Sequence, residues 1–212
     1  MAKLTPEDLM NRNEYELLAE VEHRQIKKFI FEQISPEIRL IRWYSAYQVV
    51  MLLVLVFLLG KAVFLVTRGM PEALRQIGYA LLFSFTVLIF LHELIHAVAY
   101  RLCGARNLKA GAMWRKFIFY VMADRDVVNF RTFRVVAYAP LVFVKFCCLF
   151  LGILFWSSAQ AYFFFSVMSI HSLFCAGDIA MLAFYRIHTG REIYSYDDLK
   201  QGKSFFYSRK MG

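Results

Sequence analysis

Val87-Leu88-Ile89-Phe90-Leu91-His92-Glu93-Leu94-Ile95-His96-Ala97-Val98-Ala99-Tyr100 is an apolar run broken by three ionisable side chains. The interruption has the pattern HExxH. On a helix, imidazoles at i and i+4 share one face, so both reach a single zinc ion while the intervening carboxylate stands beside the water that the metal holds. Ionisable groups are costly inside a membrane helix and mark function there. This one stretch therefore predicts a membrane helix and a metal centre together.

Working outward, four apolar runs are long enough to cross a bilayer, at roughly 43–66, 76–101, 134–156 and 161–185; about 20 helical residues suffice. The composition agrees. The 212 residues are 59% hydrophobic, 17% aromatic and 19% charged, with mean hydropathy +0.48, against about 45–50% apolar and about 25% charged in soluble domains. A disordered or collagenous chain is excluded, and a soluble one fits poorly. Lys and Arg set the orientation. Residues 1–42 hold 7, residues 101–134 hold 8 and residues 186–212 hold 6 of the 25. Both termini are thus expected in the cytoplasm. The same placement accounts for the net charge of +9 without a nucleic-acid partner. Residues 1–40 are charged with no apolar core behind the first basic residues, so no signal peptide is read.

The fold class expected is an α-helical membrane protein: four transmembrane helices, an N-terminal amphipathic helix, and a cytoplasmic-side β-hairpin between the second and third spans. Residues 1–42 form the cytoplasmic helical segment, because Leu9, Tyr15, Leu18, Val21, Ile26, Ile30 and Ile34 recur at mostly helical spacing behind a Thr5 cap. Residues 43–187 form the membrane domain and 188–212 a solvated cytoplasmic tail. The hairpin, at about 111–130, is read from the aromatic and β-branched run Met113–Val121, the break Ala123-Asp124-Arg125-Asp126, and the resumption at Val127.

A catalytic zinc takes a third protein ligand and keeps an open position. Asp178 is the acid of the fourth span, about 12 Å from its cytoplasmic end at 1.5 Å per residue, against about 13–14 Å for His92 on a parallel helix. Gly177 is expected to let the helices approach closely. A pairing of Asp178 with Lys145 or a histidine is the alternative. Lys145 lies at comparable depth in the third span, where it serves either to stabilise an oxyanion or as a structural cation. His171, one helix face from Asp178 but roughly 10 Å further in, is too far to ligate the same ion; it is a hydrogen-bonding core residue or assists the oxyanion. Cys103, Cys147, Cys148 and Cys175 read as small buried hydrophobes. His23 and His188 read as surface residues.

His92-Glu93-Leu94-Ile95-His96-Ala97, then Ala139-Pro140-Leu141, then Gly177-Asp178, resemble a zincin-peptidase family of small prokaryotic membrane proteins. That family is in turn similar to the site-2 protease class of intramembrane metalloproteases. The resemblance spans about residues 75–190. It implies zinc as cofactor, His92, His96 and Asp178 as ligands, and Glu93 as general base. It also implies that the hairpin holds a substrate strand through Met113, Arg115, Phe117 and Phe119. The longer Asn-Pro or Leu-Asp-Gly context of the third ligand in site-2 proteases is absent, as is a PDZ or CBS-like module.

The expected activity is that of an intramembrane zinc endopeptidase in a prokaryotic cell membrane, with a membrane-protein or peptide substrate and the lipid bilayer as partners. Two other readings share the metal residues: a zinc hydrolase acting on a lipid, and a non-catalytic zinc-binding scaffold or regulator, which a fourth protein ligand would favour.

Overall fold

The computed structural model describes residues 4–25, 28–29, 39–113, 118–188 and 190–210, with the backbone alone at 112–113 and 118–119. Two helices, α2 (Arg39–Thr67) and α5 (Phe130–Leu154), are each long and apolar enough to cross a membrane. Two further pairs qualify if each is one bent span: α3 (Glu72–Phe85) with α4 (Val87–Leu102), bent by 48°, and α6 (Gln160–Phe174) with α7 (Ala176–Ile187), bent by 42°. The expected continuous helices over 76–101 and 161–185 are therefore both broken. Neither break needs Pro or Gly. At the first, the Thr86 hydroxyl donates to the Leu82 carbonyl at 2.6 Å, displacing the backbone bond that would continue the turn, a local side-chain competition that bends helices. At the second, the Ser172 carbonyl turns outward and accepts from Tyr44 Oη at 2.5 Å and from Gln48 Nε2 at 2.6 Å. Two polar residues of α2 thus satisfy a backbone group that the break exposes, which lipid could not do.

Helix α6 is the hub, packed against α2, α3 and α5. Gly152 of α5 lets the Phe165 ring lie where a Cβ would stand only 2.7 Å from it. The surface of α2 away from these contacts exposes Trp43, Leu53, Val56 and Phe57, an apolar face compatible with membrane insertion. Gly104, at φ 89°, ends α4 in the left-handed region that favours glycine.

The termini depart from expectation. After the short α1 (Pro6–Leu9), Tyr15–Glu22 is not helix but strand β1, paired antiparallel with β6 (Lys203–Arg209). Its apolar residues fit either period because a bulge at Leu18, between the pairs of Leu17 and Ala19, shifts the inward face once along the strand. The presumed solvated tail is the hairpin β5 (Ile193–Asp198) and β6. With β4 (Val128–Asn129) these make a sheet of order β1-β6-β5-β4. Phe206, Ile193 and Val21 pack one face onto Phe184 and Tyr185 of α7, while Phe205, Tyr207 and Tyr196 cover the other against Tyr15 and Leu9. Burial of these aromatics on both faces of β6 is what holds the chain ends.

A separate hairpin, β2 (Leu108–Met113) and β3 (Ile118–Ala123), follows α4. A hairpin was expected between the second and third spans, but its strands begin earlier. Val128 and Asn129, expected within it, pair instead with Ser195 and Tyr194 of β5.

Candidate metal centre

His92 and His96, one turn apart on α4, turn inward and are nearly buried. Their Nε2 atoms stand 3.0 Å apart. Asp178, in the first turn of α7, straddles them, with Oδ2 3.3 Å from His92 Nε2 and Oδ1 3.4 Å from His96 Nε2. A tetrahedral zinc with bonds of about 2.0–2.1 Å separates its ligand atoms by about 3.3–3.4 Å. The two separations from Asp178 match that spacing, and the two Nε2 atoms stand slightly closer.

The protons argue the same way. His96 Nδ1 lies 3.1 Å from the Val136 carbonyl, which can only accept, so in the neutral ring Nε2 is bare. His92 Nδ1 lies 3.1 Å from His171 Nε2; donation from His92 leaves its own Nε2 bare as well. His171 then carries its proton on Nδ1, 3.7 Å from Cys175 Sγ. Two lone pairs and a carboxylate therefore converge, and the buried Asp178 Oδ2 receives no hydrogen bond. In that protonation state a bound cation satisfies all three groups at once.

Both imidazole contacts have identifiable origins. Pro140 has no N–H, so the carbonyl four residues before it, that of Val136, has no helical donor. It is this carbonyl that His96 uses. The break at Cys175 lets α6 end with His171 against His92 while α7 starts with Asp178 on the other side of the imidazole pair. His171 thus meets His92 from behind, and its role runs through His92. His171→Phe is expected to weaken zinc binding about 10–100-fold, with His171→Gln, which keeps an acceptor, recovering most of the loss; competition against a chelator measures both.

Glu93 points toward the hairpin, where Oε2 accepts from the Val121 amide at 3.0 Å. Antiparallel alternation places that amide on the edge of β3 turned away from β2. Glu93, His96 and Asp178 line one end of a cavity of about 310 Å³ that extends past Tyr100 and Tyr120 to Tyr196 and Asp197 of the sheet. Asp197, expected within a solvated tail, therefore faces the same cavity. Burial holds its carboxyl above the usual range, against the lowering influence of the Ser204 hydroxyl, 2.5 Å away, and of His23. His23 itself is tucked against Asp197 at 3.8 Å, not displayed on the surface.

Other expectations fare differently. Lys145 donates to the Met168 carbonyl at 2.8 Å and lies over the Tyr47 ring; it pairs with neither Glu93 nor Asp178. Nothing stands within 4 Å of a Cβ placed on Gly177, so this glycine opens the cavity wall and does not bring helices together. Arg115 and Phe117 lie outside the described residues. Met113 and Phe119 fall at the facing ends of β2 and β3. Tyr44, Gln48, Val136 and Val121 were missed by sequence reasoning. Pro140 was the one signal that could have found Val136.

A family model described as "Putative zincin peptidase" matches residues 85–190, half of the chain. The chain belongs to the zincin-peptidase family. The matched segment runs from the end of α3 to the end of α7 and holds every residue of the proposed zinc set. The family implies zinc, and the two histidines with Asp178 form a group able to hold it. Membership in this zincin family supports a metallopeptidase at the level of class. No curated protein and no solved structure matches the chain.

Proposed function

We propose that this zincin is an intramembrane endopeptidase, similar in chemistry to site-2 proteases, cutting peptide segments that enter from the bilayer. The observation that carries the proposal is the donor set: three converging ligand atoms with Glu93 alongside, on helices otherwise apolar up to the arginines of their last turns. Among the described residues no fourth His, Cys, Asp or Glu joins His92, His96 and Asp178, which leaves the open position that distinguishes catalytic from structural zinc.

A zinc ion bound there supplies Lewis-acid polarisation of a carbonyl and activation of water near neutral pH. The remaining work falls to the chain. The Val136 carbonyl and His171 keep both Nε2 lone pairs aimed at the centre. The Val121 amide fixes Oε2 of Glu93, leaving Oε1 to accept a proton from the attacking water and pass it to the departing amide nitrogen. The outer edge of β3 lies beside Glu93, so an extended substrate backbone can pair along it. Such pairing offsets the loss of the substrate's own helical bonds. The cavity toward Asp197 gives water a route from the sheet side, and the placement of Lys and Arg supports reading that side as cytoplasmic.

The test is reconstitution in liposomes with a panel of single-span peptides, reading new termini by mass spectrometry with and without a zinc chelator. Chelator-sensitive cleavage is expected. Release of lysolipid with intact peptides would transfer the chemistry to lipid.

A further inference from the structure

A second pocket lies away from the zinc set, where α5 begins and α7 ends. It encloses about 630 Å³, and Phe130, Arg131, Tyr185, Arg186, His188 and Arg191 are among its walls. Its charge is unbalanced. The carboxylate on its rim, Glu192, is engaged by Arg209 at 3.4 Å and by Tyr194 Oη at 3.1 Å. Arg191 reaches out to Glu16 at 3.3 Å. Among the described residues, no carboxylate meets Arg131 or Arg186. His188 directs Nδ1 to the Phe184 carbonyl at 3.2 Å, which leaves Nε2 for another partner. The first turn of the 25-residue α5 adds the positive end of a helix dipole.

We infer that this pocket binds the phosphate of an anionic phospholipid headgroup. Planar guanidinium groups suit phosphate oxygens, and Phe130 and Tyr185 suit the boundary between headgroup and hydrocarbon. A lipid is favoured over free phosphate because apolar surface begins directly beside the pocket. Val135, one turn into α5, is 53% exposed, and Ile187, the last residue of α7, is 40% exposed. Both offer cover for acyl chains below a bound headgroup. Basic pockets between the ends of membrane helices recognise headgroups in this way.

The location gives the ligand a second effect. Helix α5 carries Val136, whose carbonyl orients His96, and α7 carries Asp178. An anion held between Arg131 and Arg186 ties the start of one to the end of the other, and so steadies two of the elements around the zinc set. The lipid site itself does not depend on the peptidase reading.

The experiment uses the full-length protein in nanodiscs of phosphatidylcholine alone and of phosphatidylcholine mixed with phosphatidylglycerol, with native mass spectrometry counting retained lipid. A phosphatidylglycerol adduct is expected, and Arg131→Gln with Arg186→Gln should weaken its retention by about tenfold or more, each arginine contributing through its charge. Arg131→Lys with Arg186→Lys, which keeps the charge, should restore much of it and shows that the pocket still folds. Lys109→Gln with Lys200→Gln removes equal charge elsewhere and should retain the adduct. Equal loss in that control would reduce the effect to net charge and overturn the site. Undiminished retention in the double Gln variant would overturn it as well. Displacement of the lipid by glycerol phosphate at matched concentration would assign the pocket to a soluble phosphate and overturn the lipid assignment.

Discussion

Glu93→Gln is expected to keep zinc at wild-type stoichiometry and to lower peptide turnover by about 10²–10⁴-fold, the usual contribution of a positioned general base. The substitution preserves shape. The Val121 amide, which now donates to Oε2 at 3.0 Å, can donate equally to the amide oxygen of Gln, so the hairpin stays docked on α4. Glu93 is outside the His92, His96 and Asp178 group, so the metal has no reason to leave. What disappears is the capacity to accept a proton. Elemental analysis and end-point mass spectrometry on one preparation separate the two effects. Turnover persisting in the variant would remove Glu93 from the chemistry and leave the metal centre standing.

Asp178→Ala should behave in the opposite manner, losing metal and activity together. Among the described residues, this carboxylate is the one that stands against the two Nε2 atoms, at 3.3 and 3.4 Å. Without it, two neutral imidazoles 3.0 Å apart are left to hold a dication. The loss of affinity should exceed the about 10–100-fold expected when only a supporting hydrogen bond is removed, so His171→Phe is the internal comparison. Titration against a chromophoric chelator measures both. Unchanged zinc content in Asp178→Ala would show that the ion sits elsewhere.

The donor set was legible in the sequence because its information is local. HExxH brings two imidazoles to one helix face, and a lone acid in an apolar span at matching depth joins them in a group able to hold a metal. The N-terminal strand was not legible. Tyr15–Glu22 finds its partner nearly 190 residues later, in Lys203–Arg209, and the bulge at Leu18 hides the alternation that would have announced a strand. Thr86 and Cys175 gave no warning of bends either, since a hydroxyl returning to a carbonyl, or a carbonyl answered by Tyr44 and Gln48 from another helix, is a tertiary event. Asp197 was assigned to a solvated tail, a reading that fails once the chain folds back as a sheet and turns this residue toward the cavity.

Pro140 leads to a conflict between durability and chemistry. An alanine there would supply the missing amide, and a proline in a helix interior costs about 3 kcal/mol. The resulting helix should melt at a higher temperature. The recovered amide would compete for the Val136 oxygen, however, and the ring of His96 would lose the contact that fixes its tautomer. Pro140→Ala is therefore expected to be the tougher protein and the weaker zinc binder. Thermal unfolding should shift in one direction and chelator competition in the other; movement of both in the same direction would mean that something other than this oxygen steadies the imidazole.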